Sequence, residues 1–307
     1  MSRNVCNLTE VNAAVCSTPE EFFNAVRSAA VIGTLQASYT DFVGVQKYWK
    51  EVSEREALLG VSITGQSEAQ SLLTDDLLRR GANLSVDVNK EWSKRIGINR
   101  AARITTVKPS GTASSWLGTT AGVHAGHELH YLRRVRLDKD TPLGHALIRN
   151  YEEFVVDDPF SETNLIISIP VRMREDTLLR KQETSLQLLE RVKRVYQNWI
   201  LPGHIRGDNT HNVSLTVSYL PGDKSAIKKW MLENRDYYHG IALAPYDTGD
   251  YQYTPYSPEI HPEVFDILKR RFNKITEKFD FDVIKERTDH TDVQAEAACT
   301  SGSCDLR

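Results

Sequence analysis

Apolar side chains recur every three or four residues after Pro19. Phe22, Phe23, Val26, Ala29, Ala30 and Ile32 fall on one face, which predicts an amphipathic helix. Thr18 is placed to cap it, Pro19 fits its first turn, Glu21 completes a capping box, and Gly33 is a tolerated weak point. Residues 60–65 alternate small, β-branched and polar side chains between two glycines and read as a short strand with a helix before it. Ile104, Thr105, Thr106 and Val107 form a β-rich segment that stops at the turn Pro109-Ser110-Gly111-Thr112 and opens into Ala113 and Ser114.

Residues 164–171 read as a buried strand, and 176–199 carry Leu178, Leu179, Leu186, Leu189, Val192, Tyr196 and Trp199 at helical intervals until Pro202-Gly203. Residues 212–219 alternate Val213, Leu215, Val217 and Tyr219 with Ser214, Thr216 and Ser218, the period of a strand. A short helix is predicted after Gly222-Asp223, and a further buried strand over 241–244. Strands and helices alternate throughout, which predicts an α/β protein with a mostly parallel sheet or barrel. One catalytic body is expected over residues 1–286, followed by a polar, aperiodic, mobile tail over 287–307.

With 307 residues, 40% hydrophobic and 26% charged, the chain is long enough for a large core. Its net charge of −3 leaves no electrostatic footprint for nucleic acid or an anionic membrane. No stretch approaches the ~20 apolar residues of a membrane span, and the first ten lack the apolar run of a secretory signal. A cytoplasmic protein with small or proteinaceous partners is expected.

The four cysteines lie in two pairs, Cys6 with Cys16 and Cys299 with Cys304, too sparse for a disulfide scaffold. Cys299 and Cys304 flank a glycine near the chain end, where two thiols suit thiol–disulfide exchange. Cys6 stands in a segment dense in amides, with Asn4, Asn7 and Glu10 beside it. His124, His127 and His130 are spaced by three, but no matching carboxylates or thiolates accompany them, so a structural role is expected and no metal. Arg133, Arg134 and Arg136 read as a charged strand edge able to touch phosphate.

Val5-Cys6-Asn7-Leu8-Thr9-Glu10-Val11, the 60–65 segment, Pro109-Ser110-Gly111-Thr112, Tyr131-Leu132-Arg133-Arg134-Val135-Arg136, Asn212-Val213-Ser214 and the final Cys-x4-Cys together resemble ribonucleotide reductases. The likeness is strongest to the monomeric, adenosylcobalamin-dependent (class II) ribonucleoside triphosphate reductases, and to their carboxy-terminal part. The resemblance implies a ten-stranded α/β barrel with a central finger loop. It implies adenosylcobalamin as cofactor and a ribonucleotide, expected to be a triphosphate, as substrate. Cys6 would carry a transient thiyl radical, and Glu10 and Asn4 would handle the 3′ hydroxyl. Cys16 would belong to the internal reducing pair, and Cys299 with Cys304 would be the tail pair recharged by thioredoxin or a similar dithiol protein. Pro109, Ser110, Gly111, Thr112, Ala113 and Ser114 would hold the substrate phosphates.

The family reads Asn-x-Cys-x-Glu, whereas here Leu8 stands two residues after Cys6 and Glu10 two later, so delivery of Glu10 requires a bulge or a shifted backbone. The internal partner of Cys16 and the first barrel strands would lie in a preceding part, so a separate amino-terminal chain, as from a split gene, is expected. Two alternatives stand beside this reading: a class I-type ribonucleoside diphosphate reductase large-subunit fragment, for which Tyr237-Tyr238 is the only tyrosine pair and reads as structural, and a non-catalytic nucleotide-binding remnant.

Overall fold

The computed structural model describes residues 4–246, 252–281 and 284. The regular elements begin with β1 (Asn7–Asn12), α1 (Pro19–Gln36), α2 (Lys47–Glu56), β2 (Leu59–Thr64), α3 (Asp75–Ile96) and α4 (Ala113–Leu117). There follow β3 (His130–Asp138), α5 (Pro142–Asn150), β4 (Val155–Asp157), β5 (Asn164–Arg172), α6 (Ser185–Val195), β6 (Thr216–Tyr219), α7 (Lys224–Glu233), β7 (Ala242–Pro245) and α8 (Pro262–Thr276). The chain divides into two compact units, residues 1–126 with 176–247 and residues 127–175 with 248–307.

In the first unit β1 pairs with β2 in parallel, one residue to one, from Asn7 opposite Leu59 to Asn12 opposite Thr64. Segment 103–107 continues the arrangement, with Val61 N–H donating to Ile104 O at 2.8 Å and Thr106 N–H to Val61 O at 3.0 Å. Val107 then bridges in parallel to Val213, and β6 pairs in parallel with β7. Five extended segments thus lie side by side in chain order. β2 is buried at all six positions, as a strand covered on both faces must be. The covering helices bring Phe22 and Val26 of α1, Leu78 of α3 and Trp199 into one core, each 0–1% exposed.

Local signals explain the helix ends. Thr18 Oγ1 accepts from Glu21 N–H at 3.2 Å and Glu21 Oε2 accepts from Thr18 N–H, the capping box expected for α1. The helix expected over 176–199 begins only at Ser185, because Thr184 and Gln187 form a capping box there. Leu178 and Leu179 lie instead in an extended stretch bridged to Gly126. Beyond Val195 the chain makes a π-helical turn, Tyr196–Ile200, before Pro202. In the 212–219 strand the alternation holds, with Val213, Leu215 and Val217 buried, but regular pairing is confined to Thr216–Tyr219. β7 departs from the expected buried strand: Leu243 is 47% exposed, and among the described residues β6 is the only strand it pairs with.

The second unit carries a three-stranded antiparallel sheet in the order β3-β5-β4, against the mostly parallel expectation. Its core is Leu147 and Tyr151 of α5 with its following residue, Phe154, Leu165 and Ile167, faced by Phe272 and Phe279. The β3 arginines are used inside this unit: Arg133 lies 4.3 Å from the Tyr256 ring, Arg134 donates to Thr254 O and Arg136 pairs with Asp158 at 2.9 Å. The described residues form only small sheets and no ten-stranded barrel. No described helix is long and apolar enough to cross a membrane.

Candidate active site

Cys6 immediately precedes β1, two residues before Leu8, the strand partner of Gly60. A Cβ on Gly60 would meet Cys6 Sγ at 3.1 Å and Leu8 Cδ2 at 2.3 Å, so only glycine leaves room for the sulfur there. Cys6 Sγ also lies 3.8 Å from Nε2 of His211. The His211 Nδ1 is 3.2 Å from the Thr105 carbonyl oxygen, which can only accept, so Nδ1 carries the proton and Nε2 is left as an acceptor facing the thiol. Burial pushes the Cys6 thiol up to about 11, against the pull of the Arg103 guanidinium. Burial also lowers His211 to about 4, with the Thr105 carbonyl opposing and Arg103 and His204 assisting. Both members are therefore neutral near pH 7.

Glu10 lies four residues further along the same strand. Its side chain is 7% exposed and pairs with Lys108 Nζ at 3.5 Å, yet neither carboxylate oxygen has a hydrogen-bond partner among the described residues. The bulge that would bring Glu10 toward Cys6 is not there, because the β1–β2 register is unbroken. Four strand residues separate the two positions by about 13 Å along the strand. Asn4 Nδ2 and Oδ1 and Thr9 Oγ1 are likewise buried and unpartnered among the described residues. Such orphaned polar atoms are rare in a finished interior and mark a surface awaiting polar company.

Cys16 follows the short 3-10 turn Ala13–Val15 and donates to the Asn12 carbonyl at 3.5 Å. Burial raises its thiol, with Glu21 adding to the effect. A whole strand separates it from Cys6, and both are free thiols. Cys299 and Cys304 lie outside the described residues.

The turn of residues 109–114 continues directly from segment 103–107. Lys108 N–H donates to Ser62 Oγ at 2.9 Å, tying the start of the turn to β2. Ser110 sits at φ +54, in the left-handed region, and its Oγ is buried without a partner among the described residues. Its carbonyl receives Ser114 N–H at 3.0 Å to open α4. Glu68 holds the far side, accepting from Thr119 Oγ1 at 2.8 Å, Thr120 N–H at 2.8 Å and Thr120 Oγ1 at 2.5 Å. Gly65, at φ +71, packs against Thr119 Oγ1 and Ala14, where a side chain would collide. Thr106, whose methyl shares the Gly60 surface with Cys6 Sγ, is two residues before Lys108, so the sulfur and the turn belong to one neighbourhood.

Sequence reasoning singled out Cys6, Glu10 and the turn, and missed His211, Lys108 and Glu68. His211 and Lys108 had a readable signal, since each is a polar residue at the end of a strand-like run. Each of the three spaced histidines has its own partner: His124 donates to Ala121 O at 2.8 Å and accepts from Thr216 N–H, His127 contacts Ser257 O and His130 stacks near Phe265. Among the described residues no group of three or more His, Cys, Asp or Glu side chains is placed to hold a metal. Tyr238 donates to Met231 O and Tyr237 lies under Lys193. Surface depressions occur beside α8 and α7, lined by residues such as Phe279 and Leu232, and neither includes Cys6, Gly60 or the turn.

No protein-family model matches the chain. It is 25% identical over 228 residues to the adenosylcobalamin-dependent ribonucleoside-triphosphate reductase of Levilactobacillus brevis, covering 72% of this chain and 29% of that protein. It is 26% identical over 266 residues to the enzyme of the same name from Euglena gracilis, covering 83% and 34%. The chain thus spans about a third or less of the length of these relatives. A crystal structure of a B12-dependent class II ribonucleotide reductase superposes with a TM-score of 0.71 at 16% identity over 91% of this chain and 42% of that one. The chain is thus similar in sequence to adenosylcobalamin-dependent ribonucleoside-triphosphate reductases and shares the α/β fold of a class II ribonucleotide reductase over nine-tenths of its length.

Proposed function

We propose that this chain is part of the catalytic body of an adenosylcobalamin-dependent ribonucleoside-triphosphate reductase, in which Cys6 works as a thiol on the ribose and residues 109–114 grip the phosphates. The overall reaction removes the 2′ hydroxyl as water while two thiols become one disulfide, and thioredoxin or a similar dithiol, acting through Cys299 and Cys304, restores them. The observation that carries the reading is the placement of Cys6 against Gly60, in the same neighbourhood as a turn whose Ser110 hydroxyl is buried and unpartnered. In this reading the five parallel segments would form half of a ten-stranded barrel, and a separate amino-terminal chain would supply the rest. The adenosylcobalamin named for the relatives would be bound by the assembled enzyme.

The resemblance gives Cys6 the radical-carrying role, and the geometry raises a second one beside it. As radical carrier it would need a carboxylate over the same ribose carbon, and the unbroken register leaves Glu10 about 13 Å along the strand. That observation favours the second role, in which Cys6 is itself one of the two reducing thiols, its partner lying in the amino-terminal part. The assay is adenosylcobalamin-dependent formation of deoxynucleotide from triphosphate or diphosphate by this chain mixed with a candidate amino-terminal chain. Cys6→Ser should abolish turnover with folding intact, and unchanged turnover sinks the proposal. After one turnover without external reductant, mass spectrometry should find Cys6 in a disulfide if it is a reductant and as a free thiol if it carries the radical.

A further inference from the structure

The Cys6 thiol has a neighbour that neither the motif nor the resemblance assigns. His211 comes from the far end of segment 103–107's other partner strand, 205 positions along the chain, and presents Nε2 to Cys6 Sγ at 3.8 Å. The ring cannot simply turn over to reverse its donor and acceptor, since its Nδ1 is committed to the Thr105 carbonyl. We propose that His211 is a positioning residue that accepts a hydrogen bond from the Cys6 S–H, holding the sulfur as a neutral, directed thiol at the Gly60 surface.

Three observations support this. Thr105 belongs to the segment paired with β2, so the imidazole is anchored to the same sheet that carries Cys6 and cannot drift from it without breaking that pairing. Gly60 lets the sulfur lie close against the backbone, and His211 Nε2 is the acceptor within reach of the thiol hydrogen among its described neighbours. The charged groups facing the pair are Arg103 and, on the imidazole, His204; both act to keep His211 neutral. A hydrogen bond donated by the neutral thiol favours that thiol over the thiolate, which reinforces the effect of burial. The arrangement is therefore the reverse of a thiolate–imidazolium nucleophile. It keeps the hydrogen on sulfur, as either ribose-directed role of Cys6 requires. This inference rests on the proposed function only for its purpose, since the hydrogen bond itself is measurable in the chain alone.

Two spectroscopic readouts on the full chain test it. The infrared S–H stretching band assigned to Cys6 by its loss in Cys6→Ser should move to higher frequency in His211→Leu, the direction of a broken hydrogen bond. The 15N signals of His211 in the unsubstituted chain should show one neutral tautomer, protonated on Nδ1, and Nε2 should shift in Cys6→Ala. A Cys6 band unmoved in a folded His211→Leu variant, or a His211 tautomer protonated on Nε2, overturns the proposal. The second measurement needs no substitution at His211, so a poorly folding variant does not leave the question open. If the hydrogen bond is present but Cys6→Ser retains turnover in the assembled enzyme, the proposed function fails while the thiol–imidazole pairing stands.

Discussion

Glu10 and Lys108 meet at 3.5 Å across two strands that are not neighbours in the chain, and their pairing joins the strand that follows Cys6 to the residue that opens the 109–114 turn. The carboxylate is 7% exposed and the ammonium side chain 27%, so the two are not equivalent partners. Removing the lysine strands a charge that is almost fully buried, whereas removing the carboxylate leaves a cation with access to water. Lys108→Met should therefore destabilise the chain by about 1–3 kcal/mol, less than a fully buried pair because of that access, and Glu10→Gln by under about 1 kcal/mol. The double substitution should recover most of the Lys108→Met loss. Urea midpoints of the four proteins close the cycle, and equal losses from both single changes would show that the pair is not asymmetric in burial.

Trp199 is fully buried, and its indole N–H is shared between Val61 O at 3.3 Å and Thr106 O at 3.0 Å. It thus bonds β2 and the adjoining segment from behind while packing on Phe22, with ring centroids 6.4 Å apart. Trp199→Phe keeps most of the apolar surface but takes the indole donor from Thr106 O, while Val61 O keeps Thr106 N–H, a loss of about 1–3 kcal/mol. Trp199→Ala adds a cavity and should lose about 3–5 kcal/mol, enough to threaten folding. Thermal melts with matched near-ultraviolet circular dichroism separate the two; a Phe variant as damaging as the Ala variant would mean that packing is not what Trp199 chiefly provides.

The parts of this molecule that could be read from the sequence are those fixed locally. Thr18, Pro19 and Glu21 announce α1 because the capping box needs only those residues. The glycine-bounded strand β2 and the alternation of Val213, Leu215 and Val217 were legible because burial on a sheet has a period of two. The start of α6 was misplaced by nine residues, since Leu178 and Leu179 match a helical spacing but are drawn into an extended bridge with Gly126 that no local pattern reveals. The exposure of β7 and the antiparallel sheet of the second unit depend on which strands find one another. At the candidate site, Cys6 and the turn had motif signals, but His211 reaches Cys6 from 205 residues away, and only the pairing of strands brings them together.

Glu68 is 6% exposed and is satisfied entirely by Thr119 and Thr120, just beyond α4. Three donors on one carboxylate fix the loop that closes the phosphate-gripping turn of the proposed function. Glu68→Gln presents one oxygen and an amide whose hydrogens face donors, so at least one of these bonds is lost. Backbone amides of residues 118–122 should then exchange with deuterium about tenfold faster, which corresponds to about 1.4 kcal/mol of local opening, while those of α3 stay protected. Unchanged exchange in that loop would remove Glu68 from any part in holding it.

Acid should weaken the fold through two histidines that stay neutral. His124 donates from Nδ1 to Ala121 O and accepts Thr216 N–H on Nε2, so a second proton has no place without breaking that bond. Burial lowers its affinity for a proton, with Ala121 opposing and Arg191 assisting. His211 is lowered to about 4 by burial, with Thr105 opposing and Arg103 and His204 assisting. In the unfolded chain both histidines regain an ordinary affinity near 6.5, so that state binds more protons as the pH falls. The stability from their neutrality is full above about pH 6.5 and is lost progressively as the pH drops toward the native-state values, at up to about 1.4 kcal/mol per pH unit for each histidine. Glu183, raised by burial against the pull of Arg191, works in the opposite sense, because its native form takes up a proton before the unfolded one. Its effect lies between the ordinary carboxylate value and its raised native value, where it offsets part of the histidine loss. Urea midpoints should therefore fall between pH 7 and pH 5, and His124→Gln, whose amide oxygen can still accept from Thr216, should flatten that slope by about half. A midpoint that holds level across this interval would mean that the two rings take up protons as freely in the native protein as in the unfolded chain.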